Sequence, residues 1–211
     1  KRQYLDITLD ETKKSDLFLA LEKKYMSSDI MMIEYAKDLL WGFGCKRDGE
    51  KGRLILKPLI TNLHPYALTI LGAFLIEKKE YQQAETYLFS ALQFEFALSD
   101  YYYGKMLENG WNGHQDIKKA EYYYLVAAKE NVSQAQYALG KMYQKENELT
   151  SAYFWFSMAS KQKEKEATYE LANAYFYGYG IKKDEEKALK CYQEAFEQGY
   201  LDAAKNIGAY L

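Results

Sequence analysis

The sequence predicts an all-α fold built from repeated helical hairpins. Three observations carry that expectation. The 211 residues include only two prolines, Pro58 and Pro65, and no β-branched alternation, so little interrupts helices and nothing favours strands. Large apolar residues recur four positions apart, the spacing of one helix face. A glycine turn followed by an aspartate also recurs. Gly178, Gly180, Asp184, Lys187 and Ala188 repeat the relative places of Gly42, Gly44, Asp48, Lys51 and Gly52, and Gly110, Asp116, Lys119 and Ala120 do the same. The aspartates at 48, 116 and 184 stand 68 residues apart.

Taken in order, residues 1–28 are expected to form an N-terminal capping helix. Thr8 and Glu11 have capping-box spacing, Leu17, Leu21 and Tyr25 form an apolar stripe, and Ser27, Ser28 and Asp29 end it. Residues 29–211 are expected to hold five repeats, about 31–66, 67–98, 99–134, 135–166 and 167–202, with a terminal helix over 203–211. Each repeat opens on Met31, Ala67, Ser99, Ala135 or Ala167, and Ala203 opens the terminal helix. Four positions on come Tyr35, Leu71, Tyr103, Leu139, Leu171 and Ile207. The next residue is small: Ala36, Gly72, Gly104, Gly140, Ala172 and Gly208. A glycine inside a helix costs about 1 kcal/mol relative to alanine, so its recurrence predicts a second helix crossing closely there.

That second helix has its own small residues, Gly52, Ala84, Ala120, Ala152 and Ala188, followed seven positions later by Leu59, Ala91, Ala127, Ala159 and Ala195. Tyr87, Tyr123 and Trp155 stand between them on a neighbouring line, with Trp155 read as core. Asp48, Asp116 and Asp184 are placed to cap it, and Asn131 and Gly199 suit the left-handed residue that ends a helix. The repeats alternate in length because the glycine-bearing turn is four residues longer in the first, third and fifth. Pro58, inside the second helix of the first repeat, is expected to kink or shorten it.

Composition narrows the function. Nearly half the chain is apolar and 17% is aromatic, ample for a core, while a net charge of -2 argues against nucleic acid as a partner. No apolar run approaches the roughly 18 residues of a membrane span, which argues against direct membrane insertion. The start at Lys1 suggests a fragment or a processed form. Cys45 and Cys191 define no disulfide framework and lean towards a reducing compartment, cytoplasmic or host-delivered, with oligomeric state left open. His64 and His114 lie two repeats apart, and no serine, cysteine or carboxylate is placed to complete a nucleophile with either. No catalytic residue, cofactor or metal site is expected, and the 22 tyrosines are read mostly as packing residues.

The run from Ala167 through Leu171, Tyr175, Gly178, Gly180, Asp184 and Ala188 to Ala195, Gly199 and Ala203 resembles the Sel-one-like repeat family (SLR), a branch of the tetratricopeptide repeat superfamily. The run from Ala135 to Tyr143 also resembles the family's first helix. The resemblance covers roughly residues 31 to 211. It implies a right-handed α-solenoid (superhelix) of antiparallel helix pairs, the first helices lining a concave surface and the second a convex one. It also implies a non-enzymatic protein–protein interaction scaffold or adaptor, with a peptide or protein segment as partner. The alternatives are a regulatory or targeting segment of a larger enzyme and a bacterial effector contacting host proteins. Some bacterial members link the two helices of each repeat by a disulfide; the paired cysteines are missing here.

On that geometry the expected groove residues are Ile33 and Leu40 in the first repeat and Ile76 in the second. Tyr101, Lys105 and Glu108 follow in the third, Tyr137, Lys141 and Gln144 in the fourth, and Tyr169, Asn173 and Phe176 in the fifth. Lys37, Thr69 and Ala73 occupy the same lines. Three tyrosines in register beside lysine, lysine and asparagine suit a peptide, since the rings give stiff contact area and the polar groups reach backbone carbonyls or carboxylates. The competing reading has the tyrosines packing on a neighbouring helix. The tetratricopeptide subset that grips a C-terminal carboxylate has a lysine where this chain has a tyrosine, so that function is not carried over.

Overall fold

The glycine turns and the aspartates behind them set the helix boundaries. In the computed structural model, which describes residues 28–208, Asp48, Asp116 and Asp184 each cap a helix. Their carboxylates accept the N–H of Lys51, Lys119 and Lys187 at 2.9, 3.0 and 3.0 Å. Gly42, Gly110 and Gly178 close the preceding helices in the left-handed region. The helices are α1 (Asp29–Trp41), α2 (Gly49–Thr61), α3 (Pro65–Glu77), α4 (Tyr81–Leu92), α5 (Ala97–Asn109), α6 (Ile117–Lys129), α7 (Ser133–Lys145), α8 (Leu149–Lys161), α9 (Lys165–Tyr177), α10 (Glu185–Glu197) and α11 (Ala203–Gly208). Among the described residues every regular element is a helix. The capping helix expected over 1–28 lies outside them except for Ser28, whose Oγ accepts the Met31 N–H at 3.2 Å at the start of α1.

The chain divides into two units, Lys1–Ala91 and Leu92–Leu211. Within each, a small residue on one helix receives a large one from its hairpin partner. A Cβ added at Gly72, Gly104 or Gly140 would lie 2.6 Å from Leu88, 3.0 Å from Tyr124 or 2.5 Å from Phe156. Ala172 holds this place in α9. The large residues form a line on the second helices (Leu56, Leu88, Tyr124, Phe156 and Tyr192), and all are essentially buried. The expected neighbouring line of Tyr87, Tyr123 and Trp155 is only half-buried, so the core line lies one residue further along each helix.

The first hairpin keeps Leu56 opposite the small Ala36 and adds a second contact of the same kind. Its glycine, Gly52, is on the second helix, and a Cβ there would lie 2.8 Å from Leu40 on the first. Met31, which opens the repeat, is exposed at the start of α1, and Ile33, Tyr35, Ala36, Leu39 and Leu40 form the buried set. Pro58 does not shorten α2, which runs 13 residues like most of its neighbours. The carbonyl that Pro58 cannot bond is that of Leu54, a residue 67% exposed, so the missing donor falls on the outer side of the helix.

Among the described residues, six other than glycine close helices or turns at positive φ: Leu63, Lys79, Glu95, Asn131, Asn147 and Lys163. These turns need the left-handed conformation but leave room for a side chain, so glycine is not required. Asn131 and Gly199 take the conformation expected of them.

Behind the first helices, the residue after each opening is polar and buried in the last three repeats. Gln136 Nε2 donates to the Ala128 carbonyl at 3.0 Å, and its Oε1 accepts from Gln162 at 2.8 Å. The Thr168 hydroxyl lies 3.0 Å from Gln198 Oε1. At the same register Asp100 is only 7% exposed. Burial pushes its carboxyl up to about 6, helped by Glu95 and opposed by its own backbone N–H. The folded chain therefore holds this proton more tightly than the unfolded one. The associated stability is full below pH 4, is lost as pH rises from 4 to 6, and is absent above. Asp100→Asn is expected to flatten that pH dependence and to raise stability at pH 7.5 by about 1–2 kcal/mol, measured by urea unfolding at several pH values.

Candidate partner-binding face

The first helices of the repeats, α1, α3, α5, α7 and α9, carry the expected groove residues. In the first unit the expectation needs correction. Ile33 and Leu40 are fully buried, Leu40 because it fills the space over Gly52, and Ile33 because it lies two turns away on the same helix face. Thr69 and Ala73 are buried as well, and Thr69 Oγ1 donates to the Pro65 carbonyl at 2.8 Å. Ile76, in the last turn of α3, is half-buried, as is Lys37, whose ammonium lies 3.1 Å from Glu34.

In the second unit all nine expected residues are half-buried. Each tyrosine lies on the core aromatic of its own hairpin. Ring centroids are 5.9 Å apart for Tyr101 and Tyr124, 6.0 Å for Tyr137 and Phe156, and 5.6 Å for Tyr169 and Tyr192. The tyrosines are thus registered by packing within the hairpin and still keep part of each ring accessible. Tyr169 also meets Tyr200 at 4.7 Å.

The polar row beside them is held from beneath. Tyr124 and Tyr192 are each 1% exposed, yet their hydroxyls reach the first helix. Tyr124 donates to Glu108 at 2.7 Å, and Tyr192 donates to Asn173 Oδ1 at 2.7 Å. Asn173 Nδ2 donates to Glu170 at 3.1 Å, and Lys141 donates both to Glu170 at 2.8 Å and to Gln144 at 2.7 Å. A chain of hydrogen bonds therefore runs from the core of the fifth hairpin to the surface of the fourth. Lys145 pairs with Glu108 at 3.7 Å. The Lys105 ammonium lies 5.9 Å from the Tyr101 ring centre, and Lys183 lies 5.5 Å from Phe176. Burial pushes the Tyr137 hydroxyl up to about 12 and Tyr101 higher still, with Glu164 and Glu166 adding to both, so these two hydroxyls stay protonated.

Sequence reasoning missed Tyr124, Tyr192 and Glu170. The first two could have been found from the recurrence of a large residue at 56, 88, 124, 156 and 192, four positions after each small residue of the second helix. Glu170 recurs in register only as Glu34 in the first repeat, too sparse a signal to single it out.

A small pocket opens where α7, α8, α9 and the turn after α9 meet. Gln144, Leu149, Phe156, Glu170, Ala174 and Tyr179 are among its lining residues. Among the described residues no group of three or more histidines, cysteines or carboxylates could hold a metal ion, and no helix is long and apolar enough to cross a membrane. His64 is the N-cap of α3 and His114 lies exposed in a turn.

Helical hairpins in tandem, each locked by a small residue under a large one, define a helical-repeat protein. The family then follows from the repeats themselves. Residues 97–132, 133–164 and 165–200 match the Sel1 repeat, so the chain carries three Sel1 repeats. These repeat limits begin two residues before the openings Ser99, Ala135 and Ala167. An uncharacterized Sel1-like repeat-containing protein of Schizosaccharomyces pombe is 24% identical over 205 residues, an alignment covering 72% of this chain and 31% of that protein. The chain thus spans about a third of that curated relative. A Sel1 repeat protein from Oxalobacter formigenes has a similar structure, with a TM-score of 0.76, 21% identity, and coverage of 94% of this chain and 88% of that one. A protective antigen of uropathogenic Escherichia coli displaying an SLR fold gives a TM-score of 0.74 at 26% identity, covering 90% of this chain and 42% of that one. Sel1-repeat folds are commonly protein-interaction scaffolds and are typically non-catalytic.

Proposed function

We propose that this chain is a non-enzymatic interaction scaffold that binds an extended peptide segment of a partner protein on the face formed by α5, α7 and α9. The observation that carries the reading is the paired row described above. Tyr101, Tyr137 and Tyr169 repeat in register, each seated on a core ring, and Lys105, Lys141 and Asn173 repeat beside them, with Glu108, Gln144 and Phe176 one turn further on. Rings already fixed by packing lose little freedom on binding, and amide and ammonium donors at one-repeat spacing suit backbone carbonyls of an extended strand. The tyrosines themselves are poor test positions, because removing them also removes hairpin packing.

The test uses a phage-displayed library of random heptapeptides selected on the chain. Enriched peptides are expected to bind Lys105→Ala/Asn173→Ala at least about tenfold more weakly than the original protein, measured well below the variant's melting temperature, which falls by a few degrees as the buried Tyr192 hydroxyl loses its acceptor. Enriched peptides that bind both proteins equally would place the site elsewhere.

A further inference from the structure

Two of the seven asparagines, Asn109 and Asn112, are followed by glycine, and both lie where α5 gives way to the turn before α6. Asparagine before glycine is the sequence in which a side-chain amide most readily cyclises. The following main-chain nitrogen attacks the side-chain carbonyl carbon, and glycine puts no Cβ in its way. The two dipeptides lie three residues apart in one turn, so any difference between them comes from the fold.

Asn109 is held against that reaction. It is the last residue of α5, and helical ψ keeps the next nitrogen turned away from its side chain. Its Nδ2 donates to the Lys105 carbonyl at 2.7 Å, which fixes the side chain back along the helix. Gly110 closes α5 in the left-handed region and is packed in. A Cβ there would lie 3.0 Å from Gln115 Cβ and 3.1 Å from the Gln115 nitrogen. Cyclisation at Asn109 therefore requires the last turn of α5 to unwind.

Asn112 lies past the helix, in the turn itself. Gly113 is exposed, and a Cβ there would meet nothing within 4 Å. Its N–H donates to the Gly110 carbonyl at 2.9 Å, a bond local to the turn, and opening it breaks no helix bond.

We propose that Asn112 is a site of spontaneous covalent modification with water as co-reactant, and that α5 protects Asn109 from the same fate. The Gly113 nitrogen gives up its proton and bonds to Cγ of Asn112. The Cγ–Nδ2 bond breaks, and ammonia leaves with that proton. Water then adds across one C–N bond of the five-membered imide. Breaking the bond to Cγ leaves aspartate; breaking the bond to the main-chain carbonyl leaves isoaspartate, whose main chain is one methylene longer. Gln115 Nε2 donates to the Glu108 carbonyl at 2.8 Å, and Asp116 caps α6, so the added methylene enters a span fixed at both ends.

The test is peptide mapping of the intact chain aged at mildly alkaline pH, which promotes loss of the amide proton. Trypsin releases both asparagines in one peptide, residues 106–118. Tandem mass spectrometry is expected to find aspartate or isoaspartate forming at 112 at least about tenfold faster than at 109. Chain aged in urea is the reference, and there the two positions are expected to convert at similar rates. Isoaspartate methyltransferase is expected to label this peptide from the aged chain and not from Asn112→Gln. Equal rates at 109 and 112 in the folded chain would overturn the proposal. So would an Asn112 that survives folded ageing for the time that converts both positions in urea. These rates are read on the original protein, so the variant's folding does not decide the outcome.

Discussion

Gly180→Ala is expected to cost about 3 kcal/mol or more, whereas Gly44→Ala costs about 1 kcal/mol. The two glycines occupy the same place in the glycine turn and share φ of +70°. An alanine at either position meets the same backbone penalty for the left-handed region. The surroundings differ. A Cβ at Gly44 meets nothing within 4 Å, but at Gly180 it would lie 2.1 Å from the Leu149 carbonyl oxygen and 2.7 Å from the Thr150 nitrogen. Those atoms belong to the first turn of α8 and cannot rotate aside, so the turn after α9 must lift off the preceding hairpin. Urea unfolding of both variants by circular dichroism isolates the contact as the difference between them. Equal losses would show that the approach of this turn to α8 contributes nothing to stability.

Gly140→Ala is the second large effect, expected at about 2–3 kcal/mol. A Cβ there would lie 2.5 Å from two carbons of the Phe156 ring, and the ring is walled in by Tyr137 and the rest of its cluster. The cost has a definite partner. Phe156→Ala alone is expected to lose about 3–5 kcal/mol by leaving a cavity. With both changes the alanine methyl enters space the ring has vacated, so the double variant should lose less than the sum by about 1–2 kcal/mol. Strict additivity in a double-mutant cycle would contradict the close crossing as the reason for glycine at this position.

The hairpins were legible in the sequence because each element announces itself by a residue that only one geometry tolerates or favours. Asp116 and Asp184 sit where they cap, Gly178 where the chain must turn left-handed, and Gly104 and Gly140 where a ring crosses. The short turns were less legible: Lys79 and Lys163 adopt positive φ with no residue type that demands it. The binding face divides in the same way. Tyr137, Lys141 and Tyr169 could be placed by register alone. Ile33 and Leu40 were misplaced because the second helix of the first hairpin has Gly52 where the others have alanine, and Leu40 sinks into that space, which a shared register conceals. Glu170 and the hydroxyls of Tyr124 and Tyr192 join the row through contacts between hairpins and between layers, and no spacing along one helix encodes those.

The second lock of the first hairpin, Leu40 over Gly52, limits how this protein can be recombined. A helix pair taken whole from repeat three or four brings both halves of its own lock, so such cassettes are mutually exchangeable. Joining α1 to α6 would instead set Leu40 over Ala120, whose methyl occupies the space that Gly52 leaves open for it. Joining α5 to α2 would set Glu108 over Gly52, in the space that the apolar Leu40 fills. Chimaeras of this chain must therefore be cut in the loops between hairpins, never in the turns within them.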